Sequence, residues 1–249
     1  MYKDRNMAEP ALASIIQEDI GANPGHPPLR GRHGTFSFDV LNGGCGALSA
    51  TYLVDAFVAA GSAQLGLIVA GDVDAAPRMS RGFPFAAVGG AILLEHTDGE
   101  EGFDRFEFRT FPAFVDLFDV WLKWEPASKR NVLEVHADPR FGEACVECAA
   151  QTTRAFLERI GLHGDEVDVL VASQYPPQFS ERLSHAIGVA ADRVPAVPEA
   201  LAGAHTAGPV AALEAAIASG TFARARNVLF VTAGAGITIG TALYRKAPG

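Results

Sequence analysis

Apolar positions recur at helical spacing over Met7–Ile20, Ala47–Ala60, Gly142–Ile160, Gln178–Ile187 and Pro209–Ala218, which predicts five helices. Between them lie shorter apolar runs of strand length: Thr35–Val40, Gln64–Ala70, Ala91–Glu95, Phe103–Phe111, Asn131–Val135, Val167–Ala172, Asn227–Val231 and Thr238–Tyr244. Strands alternating with helices predict an α/β protein with a mixed, mostly parallel core sheet. After an aromatic stretch between Pro112 and Arg130 the order of elements begins again, which divides the chain into two similar βα halves, 1–128 and 129–249. The first half reads as the second with its opening elements missing. Phe111, Phe114, Phe118, Trp121 and Trp124 stand three and four apart and predict a helical core or dimer face, with an apolar tunnel as a lesser reading.

Composition narrows the setting. No segment of the 249 residues approaches the roughly 20 uninterrupted apolar positions of a membrane span, and the opening Met-Tyr-Lys-Asp-Arg-Asn lacks a secretory core, so a cytoplasmic protein is expected. A formal charge of −9 argues against nucleic acid as a partner, and an acidic carrier protein would need a local basic patch such as Lys129 with Arg130. Three cysteines, an odd number, fit a reducing compartment. Cys145 and Cys148 sit three apart inside a predicted helix with no second ligand pair, so small-residue packing is expected there and no metal site.

One cysteine has a different context. In Phe38-Asp39-Val40-Leu41-Asn42-Gly43-Gly44-Cys45-Gly46-Ala47 a strand runs into a glycine turn and a helix follows. A thiol at a helix N-terminus meets unpaired N–H groups and the positive end of the dipole, which favour a thiolate nucleophile. Gly44 and Gly46 would let a substrate approach and leave N–H groups for an oxyanion. A small buried cysteine filling a tight turn explains the same residues, and both readings stand at this point. His205, in Gly203-Ala204-His205-Thr206-Ala207-Gly208-Pro209, has a side chain suited to proton traffic at neutral pH.

These segments resemble the thiolase-fold condensing enzymes, and most closely the β-ketoacyl-acyl-carrier-protein (ACP) synthase III family. Phe38-Asp39-Val40 with Cys45 is similar to the family's F-D-V-x-A-A-C-x-G-F, with Cys45 one position later and Gly44 in the unshifted nucleophile register. Gly234-Ala235-Gly236-Ile237-Thr238-Ile239-Gly240-Thr241-Ala242-Leu243 is similar to the terminal G-G-G-x-x-W-G-S-A-L segment. The His205 segment is similar to the G-H-x-x-G-A of thiolases and elongating synthases, where synthase III enzymes carry Asn. At the family's V-P-H-Q-A-N, Ser173 replaces the histidine that assists malonyl decarboxylation and Gln174 matches the next residue.

The resemblance implies a thiolase-like fold whose N-terminal half lacks a strand–helix–strand block. It also implies an acyltransferase of fatty acid or polyketide biosynthesis. Cys45 would take an acyl group from acyl-CoA or acyl-ACP, both substrates, with no cofactor. His205 would assist the proton, N–H groups at Cys45 and Gly236 would hold the oxyanion with Gly234 lining the site, and Ser173 and Gln174 would flank the second substrate. A homodimer through Thr35–Val40, or a heteromer with a related synthase subunit, is expected. The alternative is a noncatalytic thiolase-fold subunit supporting a partner synthase.

Overall fold

The computed structural model describes residues 10–22, 34–74, 76 and 79–247. Its centre is a four-stranded sheet in the order β3–β8–β7–β6, formed by β3 (Gly102–Thr110), β6 (Val169–Ala172), β7 (Asn227–Gly234) and β8 (Thr238–Arg245). β6 and β7 are parallel, because the chain between them crosses over through α4 (Phe179–Ile187), α5 (Gly208–Ala218) and the short α6 (Thr221–Arg224). β7 and β8 are antiparallel across a tight turn in which Gly236 takes φ +103°. β3 is antiparallel to β8. The sheet is mixed, as expected, with one parallel ladder, β6–β7, and antiparallel ladders β7–β8 and β3–β8.

Alternate residues of β6 and β7 face opposite sides and are apolar on both, the pattern of a sheet covered twice. Leu170, Leu229 and Val231 pack with Cys145, Ala149 and Phe156 of α3 (Phe141–Ile160) and Leu183 of α4. Val169, Val171, Val228 and Phe230 pack with Ala212 and Ala216 of α5 and Leu48 of α2 (Gly46–Ala59). Cys145 and Cys148 lie buried on α3 as packing residues, both free thiols. β3 comes from before residue 128, so the central sheet draws strands from both sides of that position.

β1 (Leu65–Asp72) and β2 (Val88–Glu95) form a separate antiparallel pair. Ala70 joins a small cluster with Ala47, Ala207 and Val210, so one face of β1 is covered by α2 and α5. The opposite face carries Leu65, Leu67, Val69 and Leu93 at 46–63% exposure, an apolar row with nothing described upon it.

Two local expectations change. Residues 112–130 hold no helix of core type: a 3₁₀ stretch at Pro112–Leu117 leads into an antiparallel hairpin of β4 (Phe118–Glu125) and β5 (Arg130–Ala137). Phe118 is buried, but Trp121 and Trp124 are 57% and 58% exposed. Three-and-four spacing coincides there with strand chemistry, an alternation of Phe118, Val120, Leu122 and Trp124 with Asp119 and Lys123. Thr35–Val40 forms no ladder with a described residue; its Asp39 instead accepts the Leu12 and Ala13 N–H groups (2.9 and 2.8 Å), fixing the start of α1 (Leu12–Asp19). The predicted helix over Met7–Ile20 is thus observed as α1, with Met7–Glu9 outside the described residues.

Candidate active site

The glycine turn is one turn of 3₁₀ helix, Gly43–Cys45, that runs directly into α2 at Gly46. Gly43 has φ +47°, a conformation that costs an L side chain energy. Closing the turn commits the Cys45 N–H, which donates to Asn42 O at 2.9 Å, so the expected oxyanion donor already has a partner. The Cys45 thiol is fully buried and donates to Thr238 O at 3.2 Å. Loss of solvation pushes its pKa up to about 11, against smaller downward effects of Thr232 and the Gly240 backbone. At neutral pH that thiol is protonated.

The end of β7 closes over the turn. A Cβ on Gly234 would lie 3.4 Å from Cys45 Sγ, and a Cβ on Gly44 would lie 2.2 Å from Ala233 O. The same Gly44 Cβ would stand 3.5 Å from His205 Nε2, and one on Gly43 would stand 3.5 Å from His205 Cε1. The imidazole therefore lies beside the two glycines, while a side chain on Gly44 would run into the Ala233 carbonyl. Gly46 approaches Thr206 instead, its absent Cβ 3.4 Å from Thr206 Cγ2.

His205 precedes α5 in a loop held from β1. Asp72, 7% exposed, accepts the N–H groups of His205, Thr206 and Ala207, each at 2.9 Å. The ring stacks on Phe85 at 4.4 Å between centroids and meets Tyr175 edge-on at 5.9 Å. Thr206 Oγ1 lies 3.4 Å from both His205 Nδ1 and Gly43 O. Burial lowers the imidazole pKa, with Asp72 acting in the opposite sense, so the ring is neutral at pH 7.

Ser173 is buried, and its Oγ accepts the Ala233 N–H at 3.0 Å. It is committed to holding β7 in place. Replacing it by alanine would leave that N–H buried without an acceptor. Ser173→Ala is expected to cost about 1–3 kcal/mol, read as a lower midpoint in urea unfolding. Gln174 turns back to donate from Nε2 to Ala172 O at 3.0 Å. Its N–H lies where a Cβ on Gly208 would approach within 2.9 Å, so it meets the start of α5. Gly236, half-buried, shapes the β7–β8 turn.

The structure thus gathers Gly44, Cys45, Gly234 and His205 around one turn, with Ser173 behind it. Sequence reasoning missed Asp72 and Phe85. The signal for Asp72 was slight: a carboxylate ending an apolar strand. Among the described residues no group of three His, Cys, Asp or Glu is placed to hold a metal ion, and no helix is long and apolar enough to cross a membrane.

Residues 157–246 match the family described as 3-Oxoacyl-[acyl-carrier-protein (ACP)] synthase III C terminal. Solved structures resemble nearly the whole chain. The β-ketoacyl-ACP synthase III of Thermus thermophilus shares 21% identity at TM-score 0.77, over 98% of this chain and 75% of its own. The priming β-ketosynthase of a polyketide biosynthetic pathway shares 21% at TM-score 0.77, over 99% and 73%. A cysteine-to-serine variant of OleA from Xanthomonas campestris, solved with bound lauric acid and lauroyl-CoA, shares 14% at TM-score 0.77, over 97% and 73%. No curated protein matches. The likeness by sequence is confined to residues 157–246, and over nearly the whole chain the fold is that of these solved structures.

Proposed function

We propose that this chain is a noncatalytic thiolase-fold subunit that supports a partner synthase of fatty acid or polyketide biosynthesis in the cytoplasm. One observation carries the reading: the Cys45 thiol is fully buried and bonded to Thr238 O, while the residues set beside the His205 imidazole, Gly43 and Gly44, have no side chain to react. Three further facts agree. The Cys45 N–H is taken by Asn42 O. Ser173 stands where the resembling enzymes carry a histidine, and its hydroxyl holds Ala233. The apolar row of Leu65, Leu67, Val69 and Leu93 offers a partner a surface to cover.

A second reading keeps the acyltransferase: Cys45 accepts an acyl group from a CoA or ACP thioester, and His205 takes the thiol proton. It is favoured by the neutral imidazole against the glycine turn and by the place of Cys45 at the start of the 14-residue α2. It requires the thiol to give up its bond to Thr238 O and to meet the thioester from its buried place. The acceptor in that case is other than a malonyl unit, since Ser173 cannot supply the histidine's hydrogen bonds.

Intact-mass measurement after incubation with acetyl-CoA and lauroyl-CoA separates the two. No adduct is expected. A thioester on Cys45 that disappears in Cys45→Ala would replace the first reading by the second. Size measurement alone and with candidate synthase subunits then tests the support role, including a dimer through Thr35–Val40.

A further inference from the structure

Asp72 is the last residue of β1, and its backbone belongs to the sheet that packs on α2 and α5. Its carboxylate crosses to the loop before α5. Oδ2 accepts from His205 N and Ala207 N, and Oδ1 accepts from Thr206 N. Three consecutive backbone donors converge on one buried anion, immediately ahead of the α5 start at Gly208. These N–H groups precede the helix and have no carbonyl one turn back to bond to, so the carboxylate satisfies them and meets the positive end of the α5 dipole. The donors fix the backbone on both sides of the His205 Cα and leave its side chain one direction: between Phe85 and the glycine turn.

We infer that Asp72 is the positioning residue for His205, holding the imidazole against Gly43 and Gly44 through the backbone of residues 205–207. The inference goes beyond the functional reading and stands whether or not Cys45 reacts. Asp72→Asn removes the charge and offers one acceptor oxygen and an NH₂ that opposes the donors. The loop then loosens.

The sign of the change in His205 titration separates positioning from mere support. The groups that meet the ring are Phe85, Phe118, Tyr175 and Thr206, while Asp72, bonded to the backbone of the same residue, is the one whose charge acts on it. Tyr175 is neutral, its pKa raised by burial. Losing the carboxylate alone, with the loop unmoved, lowers the imidazole pKa further. Releasing the ring from its buried place removes the larger effect and raises the pKa toward the ordinary range near 6.5.

The experiment is NMR titration of the His205 Hε1 resonance in wild type, Asp72→Asn and Asp72→Glu. The expected result for Asp72→Asn is an upward pKa shift together with loss of the ring-current shift from Phe85. Asp72→Glu, which keeps the charge, is expected to restore part of both. A downward pKa shift with the ring-current shift intact overturns the proposal. Should Asp72→Asn fail to fold, amide exchange in the wild type decides: N–H groups of residues 205–207 are expected to exchange at least about tenfold more slowly than exposed loop amides. Exchange at loop rates overturns it.

Discussion

At pH 8, iodoacetamide will leave Cys45 of the folded protein unmodified for a time in which the same protein in guanidinium reacts completely. With a pKa near 11, the thiolate is about one part in a thousand at that pH. The sulfur also has no exposed surface, so reaction waits on local opening as well. The suppression relative to the unfolded chain is therefore expected to be about a hundredfold or more. The rate should climb roughly tenfold per pH unit until it levels near pH 11. Peptide mapping assigns the label, since Cys145 and Cys148 are buried too.

The same shift sets a stability effect whose sign is fixed. The folded value lies above the ordinary 9.0, so the unfolded chain loses this proton first. The contribution is present in full below pH 9 and is lost as pH rises through 11. Full alkylation of Cys45 in the native protein at pH 8 would sink the noncatalytic reading.

Gly44→Ala is expected to destabilise the protein by about 3 kcal/mol or more, because inserted atoms in a packed site force the backbone apart. Its Cβ would fall 2.2 Å from Ala233 O and 3.3 Å from Ala233 C, both backbone atoms of a buried central strand. Gly46→Ala is the matched control. Its Cβ meets Thr206 Cγ2 at 3.4 Å, an ordinary contact, and it stands at the first position of α2. That change should stay within about 1 kcal/mol of wild type in chemical denaturation. Equal, small effects for both would mean that β7 does not close over the turn, and the account of Gly44 would fail. The clash has a chemical corollary: Gly44→Cys is no route to an active thiol, since its Cβ would already collide with Ala233 O.

Much of this architecture was legible because it rests on long periodic segments. The α3 and α5 helices, the buried runs of β6 and β7, and the glycine turn between β7 and β8 announce themselves by apolar spacing and by Gly236. The hairpin of β4 and β5 was not legible, since aromatic residues at 111, 114, 118, 121 and 124 satisfy a helical count while their neighbours satisfy a strand. The candidate site was legible in membership and illegible in orientation. Cys45 and His205 do share one region, but a one-residue difference within a turn rotates a side chain by about 100°, and spacing alone does not say which way. Asp72 was hidden for another reason: its partners are backbone N–H groups 133–135 residues away, which any sequence possesses.

The place of β3 has a consequence for how the molecule forms. Its ladder neighbour is β8, with Phe103 opposite Tyr244, so a segment made early in synthesis waits for one made more than a hundred residues later. Ordering that long intervening chain is unfavourable until the pairing rewards it. Until then β3 is an unpaired, phenylalanine-rich ribbon on a nascent polypeptide, the kind of segment that chaperones shield.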